Sequence, residues 1–122
     1  MRMVSLLSFL CLAAIASVTT PASAARTGIG LTITDITVIG SNARIYISTG
    51  VSGSRPGCTS ASHQNHFGID VTTDKGRAQL SIATAAMLSG KTINLTGYNT
   101  CIAVDTPGTN DWQELNQISM NP

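Results

Sequence analysis

The sequence predicts a mainly β domain: a five-stranded barrel with one helix between its third and fourth strands. Short apolar runs alternate with polar residues and are bounded by Gly, Ser and Asn, the period of half-buried strands. One segment, Lys75 to Ser89, is instead alanine-rich with helical spacing. The first alternating run also slips phase by one residue, which points to a bend in a long first strand.

The elements follow in order. Ile29, Leu31 and Ile33 alternate with small or polar residues, and then Ile36 and Val38 take the opposite parity. One extra residue near Thr34–Asp35, a β-bulge, lets both halves face the core. Gly40-Ser41-Asn42 is a turn signal, after which Ile45 and Ile47 alternate with Arg44, Tyr46 and Ser48 as a second strand, hairpin-paired to the first. Thr49 to Ser62 is a Gly/Ser/Thr/Pro loop. Phe67, Ile69 and Val71 form the third strand.

Thr73 and Asp74 supply an N-cap and an acidic first turn for the helix, and Gly90 closes it. Leu80, Ala83 and Met87 form its expected inward face, plugging one end of the barrel. Lys91 to Tyr98 is the fourth strand, with Ile93 and Leu95 inward. A loop at Asp105 to Asn110 leads to the fifth strand, Trp112 to Met120, with Ile118 and Met120 in phase. Three strands, a helix and two strands, with a bent first strand, is the layout of an OB-fold. The alternative is an open α+β sheet with the helix on one face.

The first 24 residues read as a secretory signal peptide: Arg2, an apolar stretch from Val4 to Val18, and the small-residue site Ala22-Ser23-Ala24. The apolar stretch is shorter than the ~20 residues of a membrane-spanning helix, so no membrane insertion is expected. Residues 25–122 then form a single domain, secreted or periplasmic. The formal charge of +1 belongs to Arg2. The remaining charges balance, so there is no basic patch for nucleic acid.

Cys11 lies inside the signal, which leaves Cys58 and Cys101. In an oxidising compartment an even pair reads as a disulfide. It would close a loop that the chain-entropy model values at roughly 4 kcal/mol. A redox pair would instead show Cys-x-x-Cys.

The run Gly76-Arg77-Ala78-Gln79-Leu80 through Leu88-Ser89-Gly90-Lys91-Thr92-Ile93, then Gly97-Tyr98-Asn99-Thr100-Cys101, resembles a group of small exported bacterial proteins. Trp112-Gln113-Glu114-Leu115-Asn116-Gln117-Ile118 matches their late acidic-hydrophobic strand. In layout the group is similar to the B subunit of subtilase cytotoxin, and the likeness covers roughly residues 66 to 120. It implies an OB-fold, glycan binding and a homo-oligomer. It transfers no sugar-contacting residue to a position here.

Among individual residues, His63 and His66 lack the third ligand that zinc requires. Ser60, Ser62, His63 and Asp70 occur together but without a nucleophile elbow. No enzyme activity, metal or cofactor is therefore expected. Trp112 is expected to cap an open end of the barrel. Arg44, Tyr46, His63 and His66 are the ligand-binding candidates, because a sugar needs a flat apolar ring and fixed donors around it. The expected function is a non-enzymatic binding module with a cell-surface glycan as partner. The alternative partner is a protein, bound or inhibited through the barrel face.

Overall fold

A computed structural model describes residues 26–103 and 112–122 of the chain. The signal peptide expected at 1–24 and the loop expected at Asp105 to Asn110 lie outside the described residues. The strands are β1 (Thr27–Leu31), β2 (Ile33–Ile39), β3 (Asn42–Ile47), β4 (His66–Asp70), β5 (Ile93–Ile102) and β6 (Trp112–Met120). Helix α1 (Asp74–Ser89) connects β4 to β5. All six strands belong to one sheet in the order β1-β5-β6-β4-β3-β2. β4 and β6 run parallel, and every other pair is antiparallel.

The domain is thus mainly β, a mixed six-stranded sheet with one helix, and not the closed five-stranded barrel that the sequence predicts. The difference arises in the first strand. The bulge expected near Thr34–Asp35 is present, as a register shift between Ile33 and Asp35. A second break lies just before it. Gly30 has φ +66°, a left-handed conformation that glycine adopts at little cost. The β1–β5 register also slips between Gly28 and Leu31. Two interruptions divide the strand, and its halves pair at opposite edges of the sheet with no ladder joining them.

Only Thr32 separates those edges in sequence. In a flat sheet, six strands at about 4.8 Å spacing would set the outer two roughly 24 Å apart. Two α-carbons separated by one residue reach at most about 7 Å. The sheet must therefore curl until its edges nearly meet. Ile45, Ile47, Phe67, Ile69 and Ile93 fill the interior of that curl and are almost completely buried.

The break before Leu31 also moves one residue read as inward: Ile29 is 84% exposed, because it lies beyond the register slip. Val38 keeps the phase of Ile36, opposite buried Ala43, and is 57% exposed near the end of β2. Met120, in phase with buried Ile118, is 41% exposed at the end of β6.

Helix α1 begins and ends where its caps dictate. The Thr73 hydroxyl accepts from the Gly76 amide at 2.9 Å. At the other end Gly90 has φ +66°, and the Lys91 amide donates to the Ala86 carbonyl at 3.0 Å. Its buried face is Gly76, Gln79, Ala83 and Ala86. The expected face of Leu80, Ala83 and Met87 is thus turned toward smaller residues. Leu80 packs at the margin of the core and Met87 is exposed. Small side chains bring the helix axis close to the sheet. A Cβ on Gly76 would run into the Asp70 carbonyl.

Cys58 and Cys101 are bonded, with their α-carbons 6.1 Å apart. The bond ties the Ser-rich loop to β5, where Cys101 pairs with Gln113 of β6. Arg26 holds the other side of that loop. Its guanidinium donates to the Val51 carbonyl at 3.1 Å and to the Gln64 carbonyl. Burial first, then the like charge of Arg55, pushes the Arg26 guanidinium below its ordinary value. No helix among the described residues is long and apolar enough to cross a membrane.

Replacing both cysteines by Ala is expected to lower stability by about 2–5 kcal/mol in urea denaturation. Ala83→Leu should cost about 1–3 kcal/mol through overpacking, whereas Met87→Ala should stay within about 0.5 kcal/mol. A larger loss at Met87 than at Ala83 would contradict the assigned helix face.

Candidate functional site

Alternation in β3 sets the site. Ala43, Ile45 and Ile47 are buried, so Arg44 and Tyr46 leave the sheet on its outer side. Tyr46 lies directly opposite His66 in the β3–β4 register. Their rings stack at 4.7 Å between centroids, with 26° between planes. Cross-strand aromatic pairs of this kind add stability and fix both side chains.

His63 closes a short 3-10 turn, Ala61–His63, that brings the loop back to the sheet. Its ring meets His66 edge-on at 5.1 Å and Trp112 at 5.7 Å. The Ser60 hydroxyl lies 2.8 Å from Nδ1 of His63, which orients the ring. Arg44 completes the group, its guanidinium carbon 5.0 Å from the Trp112 ring centroid. It also bonds the Thr37 hydroxyl at 3.2 Å and faces the Asp35 carboxylate at 3.5 Å. A guanidinium desolvated over an indole gains a cation–π attraction of about 1–2 kcal/mol.

All four sequence candidates, Arg44, Tyr46, His63 and His66, therefore meet in one cluster. The sequence reading missed Trp112. Rather than capping a barrel end, it lies 3% exposed beneath Arg44 and the two histidines, as the common base of the cluster. Its position opening β6, next to Phe67–Gln113 pairing with β4, is the reason. Parallel pairing between strands far apart in sequence leaves no local signal.

The arrangement joins flat rings, a held cation and, at its margin, the hydroxyls of Thr37 and Ser60. Among the described residues, the Ser60, His63 and Asp70 side chains do not form a triad. Ser60 and His63 are bonded, but the Asp70 carboxylate is engaged by the hydroxyl and amide of Thr72, at 2.6 and 2.9 Å. Among the described residues, no three His, Cys, Asp or Glu side chains stand together as metal ligands.

A larger cleft, about 280 Å³, lies on the outer side of β1, β5 and β6, with Thr27, Ile29, Asn94 and Ser119 in its wall. It contains neither a charged nor an aromatic side chain. Asn94 is already committed there to the Gly30 amide at 3.0 Å and to Asn121 at 2.9 Å.

No protein-family model, curated protein or solved structure matches this chain.

Thr72, chiefly through its hydroxyl and then its amide, holds the Asp70 carboxyl below the usual carboxylate range. A carboxyl depressed in the folded state adds stability above its unfolded value near 4, lost as pH falls through the lower folded value. Asp70→Asn should therefore lose less of its melting temperature than the wild type between about pH 4 and pH 2. Equal acid slopes in scanning calorimetry would contradict that contribution.

Proposed function

We propose that the chain is an exported, non-enzymatic binding module of the toxin-B-subunit kind that recognises glycans through the Tyr46–His66–His63–Trp112–Arg44 cluster. One observation carries the reading. Four side chains picked for sugar-binding chemistry, from two strands and a loop, come together on one outward face. Stacked rings offer a flat apolar platform, and Arg44 and the histidines offer donors at its edge.

The strand order supports an OB-type layout as well. β1 and β2 are consecutive segments at the two edges of a curled sheet. An OB-type barrel would have this order if its first strand were split and its seam left without a ladder. The Cys58–Cys101 bond suits the oxidising destination that the leader at 1–24 implies. Single-site affinity for sugars is weak, and a homo-oligomer would multiply it.

Binding of a protein partner is the second reading. Aromatic and arginine side chains also form the energetic centres of protein interfaces, and Ile29 and Leu88 stand 84% and 79% exposed elsewhere on the surface.

The test is a broad glycan array probed with wild-type protein and Tyr46→Ala. Wild type should bind, and Tyr46→Ala should lose binding. Loss of one partly exposed stack, about 1 kcal/mol, should lower the melting temperature by only about 4–8 °C. A wild-type protein that binds no glycan and is a monomer by native mass favours the protein-partner reading.

A further inference from the structure

A second aromatic ring sits among fixed charges away from the cluster. The first turn of α1 and the facing parts of β4, β5 and β6 enclose about 200 Å³, with Asp70, Lys75, Gln79, Tyr98 and Glu114 in the wall. Tyr98 follows buried Gly97 in β5, so its ring leaves the outer side of the sheet and stands 39% exposed.

The polar groups of this cavity are held in place. Lys75 Nζ donates to the Tyr98 hydroxyl at 3.0 Å and to Asn116 Oδ1 at 3.3 Å, and lies 4.9 Å from the ring centroid. Glu114 accepts from the Thr100 hydroxyl at 2.8 Å, and Asp70 is held by Thr72. Buried Gln79 fixes the floor through the carbonyls of Leu115 and Asn116. Side chains ordered before a ligand arrives reduce the entropy lost on binding.

The register places this cavity and the aromatic cluster on the same face. Tyr46 pairs with His66, Arg44 with Gly68, and Asn42 with Asp70 across β3–β4, while Gly68 pairs with Glu114 across β4–β6. Arg44 and Glu114 thus occupy the row between the Tyr46–His66 stack and Asp70. His66 and Asp70 lie four residue steps apart along β4, roughly 13 Å at about 3.3 Å per residue. That span exceeds one pyranose ring.

We infer that the Lys75–Tyr98 cavity is a second sugar subsite, and that the ligand is an oligosaccharide reaching from the Tyr46–His66–Trp112 cluster to Tyr98. The inference rests on the glycan reading above. Tyr98 supplies the stacking surface at this end. Asp70 and Glu114 against the single cation Lys75 give the wall more acceptors than donors, which matches an uncharged, hydroxyl-rich sugar residue. The same carboxylates repel a carboxylated or sulfated one.

The experiment compares wild type, Tyr46→Ala, Tyr98→Ala and Glu114→Gln on an array of mono- to tetrasaccharides, followed by calorimetric titration of the glycans bound. Wild type should bind oligosaccharides and not their component monosaccharides. Tyr98→Ala should weaken that binding about tenfold, the cost of a lost stack. Glu114→Gln, a near-isosteric change that serves as the second variant should Tyr98→Ala not fold, should weaken it severalfold and admit glycans with an acidic residue at that end. Tyr46→Ala should lose binding altogether. Oligosaccharide affinity unchanged by both Tyr98→Ala and Glu114→Gln, or monosaccharides bound as tightly as oligosaccharides, overturns the subsite and leaves the cluster standing. A wild-type protein that binds no glycan overturns both.

Discussion

One residue, Thr32, joins the two edges of the sheet, and the rest of the architecture answers to that joint. Six strands cannot lie flat while their outermost members are neighbours in sequence. The sheet curls, its inner side becomes an apolar interior around Ile45, Phe67 and Ile93, and its outer side becomes convex. Gly30 and the bulge at Ile33–Asp35 make the curl feasible by releasing the ladder where the chain turns hardest. A helix with a small-residue face then packs close against the sheet.

The outer surface inherits its chemistry from the same alternation that builds the interior. Each buried residue of β3 places Arg44 or Tyr46 outside, and the pairing of β3, β4 and β6 sets their neighbours. Tyr46 stacks on His66, and Arg44 covers Trp112. The Cys58–Cys101 bond and the Arg26 guanidinium anchor the loop that delivers His63. Stability and site geometry are therefore coupled. A broken loop anchor would displace His63 while leaving Tyr46 and His66 stacked in the sheet.

Local pattern carried much of this into view. Trp112–Met120 was legible as a strand from its apolar spacing, and α1 from its alanine content and its Thr73 and Gly90 caps. Arg44, Tyr46, His63 and His66 were identifiable as outward polar and aromatic groups. Other features depend on partners distant in sequence and left no periodic trace. The second break at Gly30–Thr32 required knowing that β1 pairs with β5 and not with β3. The rotation of the α1 face toward Gly76, Gln79, Ala83 and Ala86 required the depth of the groove over the sheet, because the 3.6-residue period allows several neighbouring faces. Trp112 entered the cluster through the parallel β4–β6 ladder, which no hairpin signal announces.

A single outward face, built by the curl and carrying an aromatic platform at one end and Tyr98 at the other, is the central claim. A crystal structure of the protein bound to its best array glycan tests it most directly. The account predicts a sugar ring against Tyr46 and His66 within the Arg44–His63 margin, with the chain running toward Lys75 and Tyr98. Sugar bound instead in the cleft of Thr27, Ile29 and Ser119, with the aromatic cluster empty, would contradict it.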